Sequence, residues 1–331
     1  MPSFTVYKGS QDGTIKKSST TMPDLTNDQV LVRITASGLC GTDEHFRTSD
    51  MVLGHEGMGI VQETGPGVQH LKKGDRVGWG YEQSACGNCE MCLTGRDTFC
   101  ADRELYGEAN LDNGSFASHA VRREAFLFAI PDSISDIDAA PLQCGGATVF
   151  NALRMYNVQP TDRVGIIGVG GLGHLAIQFA SKMGCEVVVL SGSESKREEA
   201  MRLGASQFVA MKGKTSLDIG AKLNVLLVTT SMQPSWDLIL PVMAPDSIVF
   251  PLTVSEDHFQ IPYMPFLMAG IRIQASIVAA RHIHRKMLHF AAQHNIRPIV
   301  QEFPMSEEGI NKAMQTLNDG HMRYRGVLIP Q

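Results

Sequence analysis

Hydrophobic and polar positions fall into two textures along the chain. Through about residue 145, short apolar and β-branched runs (VLVRITASG, GMGIVQETG, DRVGWG, SHAVRREAFLFAIP) are interrupted by Gly, Pro, Asn and Asp. That texture predicts an irregular domain of strands and turns. From about Asp162 two kinds of run alternate. RVGIIG, EVVVLSG and QFVA are apolar almost throughout, whereas LGHLAIQFASKMG and SKREEAMRLGA carry helical spacing. Strands without polar alternation are buried on both faces, so this βαβαβ order predicts a parallel sheet covered by helices. From about Ser276 the pattern gives two helices, HIHRKMLHFAAQHN and SEEGINKAMQTLNDG, and a closing strand, RGVLIP. The expected fold class is α/β: a β-rich domain over 1–145, a doubly wound parallel-sheet domain over 146–275, and a tail, 276–331, that returns to complete the first domain.

Composition narrows the function classes. A length of 331 residues suits two domains, each able to bury its own core. Acidic residues (34) outnumber Lys and Arg (29), and no long basic run occurs, so a nucleic-acid partner is not expected. No apolar run approaches the roughly 18 residues that span a bilayer, so no membrane partner is expected either. The opening MPSFTVYKGSQDG lacks the apolar core of a secretion signal, and a cytoplasmic, reducing setting is the expectation. Seven cysteines, an odd number, then need an explanation other than disulfides.

Part of the explanation is local. Cys86, Cys89, Cys92 and Cys100 lie within fifteen residues on a loop containing Gly and Asn, enough thiolates for a closed tetrahedral zinc site of the structural kind. A second candidate set is dispersed and depends on the fold: Cys40 in GLCGTDEH, His55 and Glu56 in GHEGMG, and Cys144 in PLQCGG. Two thiolates and an imidazole leave a fourth zinc position for water or substrate, the arrangement of a catalytic metal.

The phosphate-binding candidate is Gly168, Gly170, Gly171, Leu172 and Gly173, placed between the strand RVGIIG and the helix LGHLAIQFASKMG. Glycines there permit a tight turn and close approach of backbone N–H groups to a pyrophosphate at a helix N-terminus. At the end of the next strand, where an NAD site places a carboxylate for the ribose, the chain has Ser191, Gly192 and Ser193 followed by Lys196 and Arg197. Neutral hydroxyls with a nearby cation suit the 2′-phosphate of NADP(H). Glu194 is a complication, since its carboxylate is able to face the same pocket.

Taken together these motifs resemble the zinc alcohol dehydrogenases of the medium-chain dehydrogenase/reductase superfamily, in particular the cinnamyl alcohol dehydrogenase-like branch. The resemblance runs from about Val30 to Val327 and rests on GHEGMGIVQETGPGVQHLKKGDRV, APLQCGGATVF, GVGGLGH, SGSESKREEA and RYRGVLIP. It implies a GroES-like catalytic domain joined to a Rossmann domain, two zinc ions per chain, NADP(H) as cofactor and a small aldehyde or alcohol as substrate. It further implies that Cys40, His55 and Cys144 hold the catalytic zinc, with Glu56 a nearby carboxylate able to become a fourth ligand. Thr42 would exchange the proton of the reacting oxygen, His45 would be the far end of that relay, and Asp43 would orient the His55 ring. Thr148 would lie against the nicotinamide and Arg325 would reach the pyrophosphate. By the same analogy a homodimer is expected, with VSEDHFQIPYMPFLMAG as its contact region.

Three further expectations bear on specificity. Only FRTSDMVL separates His45 from Gly54, shorter than the family usually has, which suggests a more open pocket. Trp79, Tyr81 and Leu105 fall near channel-lining positions of relatives, with core packing as the other reading of Trp79 and Tyr81. The cluster Arg281 to Lys286 reads as a solvated helix face. Two other functions compete with aldehyde reduction: reduction of an iminium or activated double bond, and cofactor sensing without catalysis on the same fold.

Overall fold

The apolar runs of the N-terminal texture become the strands of a seven-stranded sheet, in a computed structural model that describes residues 3–21, 24–255 and 257–331. Its spine is Gln29–Leu39, whose Val30, Val32 and Ile34 are buried in the core. Glu56–Thr64 pairs antiparallel along one side of that strand, with Gly38 opposite Glu56. Arg325–Ile329 pairs antiparallel along the other side, with Gly326 opposite Leu39. The closing strand thus lies beside the segment that leads into Cys40. Val300–Pro304, which the hydrophobic pattern does not reveal, extends the sheet by parallel pairing with Arg325–Ile329.

Two compact units divide the chain. The first comprises 1–147, 278–293 and 297–331, and the second comprises 148–277 with 294–296. In the second unit six strands pair in parallel: Arg163–Ile167, Glu186–Ser191, Gln207–Ala210, Leu223–Val228, Met243–Pro251 and Arg272–Ile273. Counted along the chain they lie in the order third, second, first, fourth, fifth, sixth, the doubly wound arrangement of a Rossmann sheet. Arg163–Ile167 is buried at every position, as expected for a central parallel strand. Among the described residues no helix is long and apolar enough to cross a membrane.

The tail forms the two expected helices. Glu307–Asn318 starts at Ser306, whose hydroxyl accepts from the Gly309 N–H. In Arg281–Gln293 the cluster forms a solvated face at His282, Arg285 and Lys286, which are exposed, and departs from that expectation at His284. His284 is buried, stacked on Phe128 at 3.9 Å, and hydrogen-bonded through Nε2 to Gln143 Oε1 at 2.9 Å. Burial, with a smaller contribution from Arg285, pushes its pKa down to about 3, so it is neutral and donates to Gln143.

Candidate metal centre and active site

All four dispersed residues converge within the first unit. The ligand atoms of Cys40, His55, Glu56 and Cys144 lie within 4.8 Å of one another. Cys40 precedes the short helix Gly41–His45; His55 and Glu56 sit at the start of the strand Glu56–Thr64; Cys144 lies in a π-helical turn, Leu142–Gly146. Such a turn widens the helix locally and is common where a side chain must be aimed at a site.

The donor chemistry of the cluster fits a metal cation. His55 Nε2 and Glu56 Oε2 are buried without a hydrogen-bond partner, a costly state unless an electrophile faces them. Gly38 makes room for the carboxylate, because a Cβ there would overlap Glu56 Oε2. The hydrogen bond between the two thiols lowers Cys40 well below an ordinary thiol, against the opposing effect of burial. Its partner Cys144 is raised, so one of the two is readily a thiolate. Burial pushes Glu56 up to about 7, even though the Arg325 charge pulls it down.

His55 is held by its other nitrogen. Its Nδ1 lies 2.9 Å from Asp43 Oδ1 and donates to it, which leaves Nε2 as the lone-pair donor facing the cluster. Asp43, fully buried, also accepts from the Gly54 N–H at 3.2 Å and, through Oδ2, from the Cys40 N–H at 2.9 Å. Thr42 is half-buried with its hydroxyl 3.7 Å from Cys40 Sγ, and His45 is exposed. The two are three residues apart on one helical turn and so share a face. Arg325 is buried in an ion pair with Glu56, a contact the sequence does not signal.

The four local cysteines also come together, their sulfurs within 4.8 Å of one another. Cys86 and Cys92 are 3.9 Å apart and Cys86 and Cys100 are 3.5 Å apart. Zn–S bonds of about 2.3 Å in a tetrahedron place sulfurs roughly 3.8 Å apart, so the cage matches a zinc ion in size.

In the second unit, Gly168 has a φ of +92°, and a Cβ on Gly173 would overlap the Gly168 carbonyl oxygen. A Cβ on Gly170 would meet nothing within 4 Å, leaving that backbone open to a ligand. Lys196 Nζ donates to the Val169 carbonyl at 2.7 Å, at the edge of this loop. Ser191 is buried at the end of its strand, and Ser193 pairs with Ser195. Glu194 is paired with Arg197 at 2.6 Å. Thr148 is nearly buried in the helix Ala147–Met155.

The model for the alcohol dehydrogenase GroES-like domain matches residues 26–132, and that for zinc-binding dehydrogenases matches 171–293. An alcohol dehydrogenase of Geobacillus stearothermophilus is 33% identical over 319 residues, covering 92% of this chain and 93% of its own. The chain belongs to the zinc alcohol dehydrogenases of the medium-chain dehydrogenase/reductase superfamily. An NADP-dependent alcohol dehydrogenase C of Mycolicibacterium smegmatis is 31% identical over 307 residues, covering 88% of this chain and 87% of its own. Among solved structures, a cinnamyl alcohol dehydrogenase of Sorghum bicolor superposes with a TM-score of 0.90 at 28% identity, covering 99% of this chain and 98% of that one.

Specificity positions require correction. Trp79 is a core residue: it is 1% exposed, and a Cβ on Gly57 would overlap its ring. Leu105 is also buried. Tyr81 alone of the three turns toward the cluster, edge-on to the His55 ring at 5.5 Å. Burial pushes its hydroxyl up to about 12, so it stays protonated. The short loop after His45 folds inward: Met51, Val52 and Leu53 join the core and Phe46 packs edge-on against Tyr106 at 5.4 Å. Tyr106, which no sequence motif marks, is 2% exposed and sits against His55. Only the trimmed loop hints that something else must fill that space.

Proposed function

We propose that this protein is a zinc-dependent, NADP(H)-using alcohol dehydrogenase that reduces aldehydes or ketones and, in reverse, oxidises alcohols. The observation that carries the reading is the convergence of Cys40, His55, Glu56 and Cys144 in one buried cluster, with the His55 and Glu56 donor atoms unpartnered. Cys40, His55 and Cys144 would hold the catalytic metal, with Glu56 in reserve, and Cys86, Cys89, Cys92 and Cys100 would hold a structural one. Zinc bound there supplies a Lewis acid that polarises a carbonyl oxygen, and NADPH supplies the hydride.

The remaining roles belong to the chain. Asp43 keeps His55 in the tautomer that presents Nε2. Thr42 exchanges the proton of the reacting oxygen, and His45, with the cofactor ribose between them, is the far end of that relay, exposed to solvent. Gly168, Gly170, Gly171, Leu172 and Gly173 cradle the pyrophosphate, joined by Arg325, while Ser191, Ser193 and Lys196 receive the 2′-phosphate and Thr148 supports the nicotinamide. Apolar or aromatic carbonyl compounds are the favoured substrate class, since Tyr81 faces the cluster. The NADP-dependent relative from M. smegmatis supports the cofactor choice. A cytoplasmic homodimer completes the reading. The helix Tyr263–Met268 supports its contact region, since Tyr263, Met264, Leu267 and Met268 are all more than half exposed. Glu256 of the expected contact stretch lies outside the described residues.

The test pairs metal analysis with NADPH oxidation using benzaldehyde and cinnamaldehyde. Wild-type protein should carry two zinc ions and turn over; Cys144→Ser should keep the fold, lose one zinc and lose turnover. Full activity in that variant, or NADH equal to NADPH in kcat/KM, overturns the corresponding part.

A further inference from the structure

Arg122 is a buried cation without a counterion. It belongs to the strand His119–Arg123, opposite Val30 of the strand Gln29–Leu39, and it is 5% exposed. Its guanidinium lies over the Trp79 ring, 5.4 Å from the centroid. Its hydrogen bonds go to neutral acceptors, the Gln83 side-chain oxygen at 3.3 Å and the Asn113 carbonyl. Nε of Arg122 has no partner, and neither has Nε1 of the tryptophan beneath it. Burial alone pulls the Arg122 pKa down to about 9, and no carboxylate acts to raise it. A buried charge in that state is costly to the fold. The next residue, Arg123, is by contrast paired with Asp28 at 3.0 Å.

A cavity of about 400 Å³ is lined by Arg122, a volume within the range of small-molecule sites. Gln83, Val121 and Arg122 form its buried floor, while Glu104, Asp112 and Arg123 are exposed at its rim. None of the lining residues belongs to either cysteine cluster. The rim charges select the kind of ligand. Lys8 neutralises Asp112 at 2.6 Å, and Asp28 neutralises Arg123. Glu104 meets the Asn110 amide at 2.9 Å and not a cation, so it repels a dianion more than a monoanion. Gln29 supplies a neutral donor, because its side-chain oxygen is taken by the Thr26 N–H and hydroxyl and its amide nitrogen is left to donate.

We propose that this cavity is a binding site for a small monocarboxylate, with Arg122 as its counterion and the Gln29 amide as a second donor. The site is separate from the metal cluster, and the inference goes beyond the reading of the chain as a dehydrogenase. A planar guanidinium matches a carboxylate in shape, and the low dielectric of the cavity floor strengthens their attraction. The ligand brings the charge that the fold lacks, so its binding stabilises the folded chain.

The test uses full-length, zinc-loaded protein without added nucleotide. Sodium propionate and sodium lactate are the probes, with sodium phosphate and sodium chloride at matched ionic strength as controls. Trp236→Phe leaves Trp79 as the sole tryptophan, whose fluorescence reports on the guanidinium above it. The carboxylates should change that fluorescence saturably and raise the melting temperature, and the controls should do neither. Gln29→Glu keeps an acceptor for Thr26 but adds a negative charge to the cavity, and should weaken carboxylate binding by about tenfold or more. Arg122→Met keeps an apolar contact with Trp79 and should abolish the response. Calorimetry on the wild-type protein and on Gln29→Glu decides the matter if that variant does not fold. No carboxylate uptake by wild-type protein overturns the proposal, as does a response shared by phosphate and chloride. Binding that is lost in Cys144→Ser and unchanged in Gln29→Glu belongs to the metal cluster and likewise overturns it.

Discussion

Arg325 donates its guanidinium to the carboxylate of Glu56, tying the closing strand to the strand Glu56–Thr64. Both side chains are buried, so removing one partner strands the other charge. Arg325→Gln is expected to cost about 3–5 kcal/mol of folding stability. Arg325→Gln combined with Glu56→Gln should cost clearly less than the sum of the two single changes. Urea denaturation of the four proteins in this cycle measures the coupling, and additive losses would contradict it.

The thiolate cage should be separable from the dispersed cluster. Cys92→Ser removes one ligand of the local site, so metal analysis should find one zinc where wild type has two. Its melting temperature should fall by several degrees, because a structural zinc contributes directly to folding free energy. The remaining zinc should resist extraction as it does in wild type. Loss of both metals together would show that the two sites are not independent.

Cofactor choice should respond to Lys196. Lys196→Ala removes the cation beside the glycine loop and should raise KM for NADPH by about tenfold, the loss of roughly 1.4 kcal/mol, with little change for NADH. Equal effects on the two cofactors would mean that Lys196 acts through its bond to the Val169 carbonyl and not through the 2′-phosphate.

Glu82 gives the fold a pH dependence unrelated to chemistry at the metal. It is 7% exposed and both carboxylate oxygens lack hydrogen-bond partners. Burial, reinforced by Asp97, pushes its pKa up to about 8 from an ordinary 4.5, against the pull of Arg281 and Arg103. Between those values the folded chain holds a proton that the unfolded chain has released, so stability falls as pH rises through this window. Glu82→Gln, which cannot ionise, should match wild type in melting temperature near pH 5 and exceed it near pH 8.5. A constant difference across pH would refute the buried-carboxylate account.

Much of the architecture is legible in the sequence because its signals are local. Apolar runs such as RVGIIG and EVVVLSG have no polar alternation, and the structure buries Arg163–Ile167 throughout in a parallel sheet of Rossmann order. The four clustered cysteines need only their spacing. The dispersed cluster needs the fold, since Cys40, His55 and Cys144 are joined by strand register and a π-helical turn that no short window reveals. Trp79 is ambiguous in sequence for a physical reason: an aromatic beside a site and one within the core look alike until Gly57 is seen beneath the ring. His284 escapes the hydrophobic pattern because its charged neighbours suggest solvent, whereas its own position on the helix faces Phe128. Tyr106 carries no motif, and its place beside the cluster comes from contacts with Gly54 and His55 that are distant in sequence.

The pairing of the closing strand with residues 37–39 also sets a timetable for biosynthesis. Cys40, His55 and Glu56 leave the ribosome long before that strand, and the unit of 148–277, with its own hydrophobic core, is able to fold in between. Glu56 nevertheless waits for Arg325, and residues 37–39 wait for their neighbour on one side, until the closing strand has been made. During that interval residues 37–39 present an unpaired sheet edge, which the closing strand is the last element to cover.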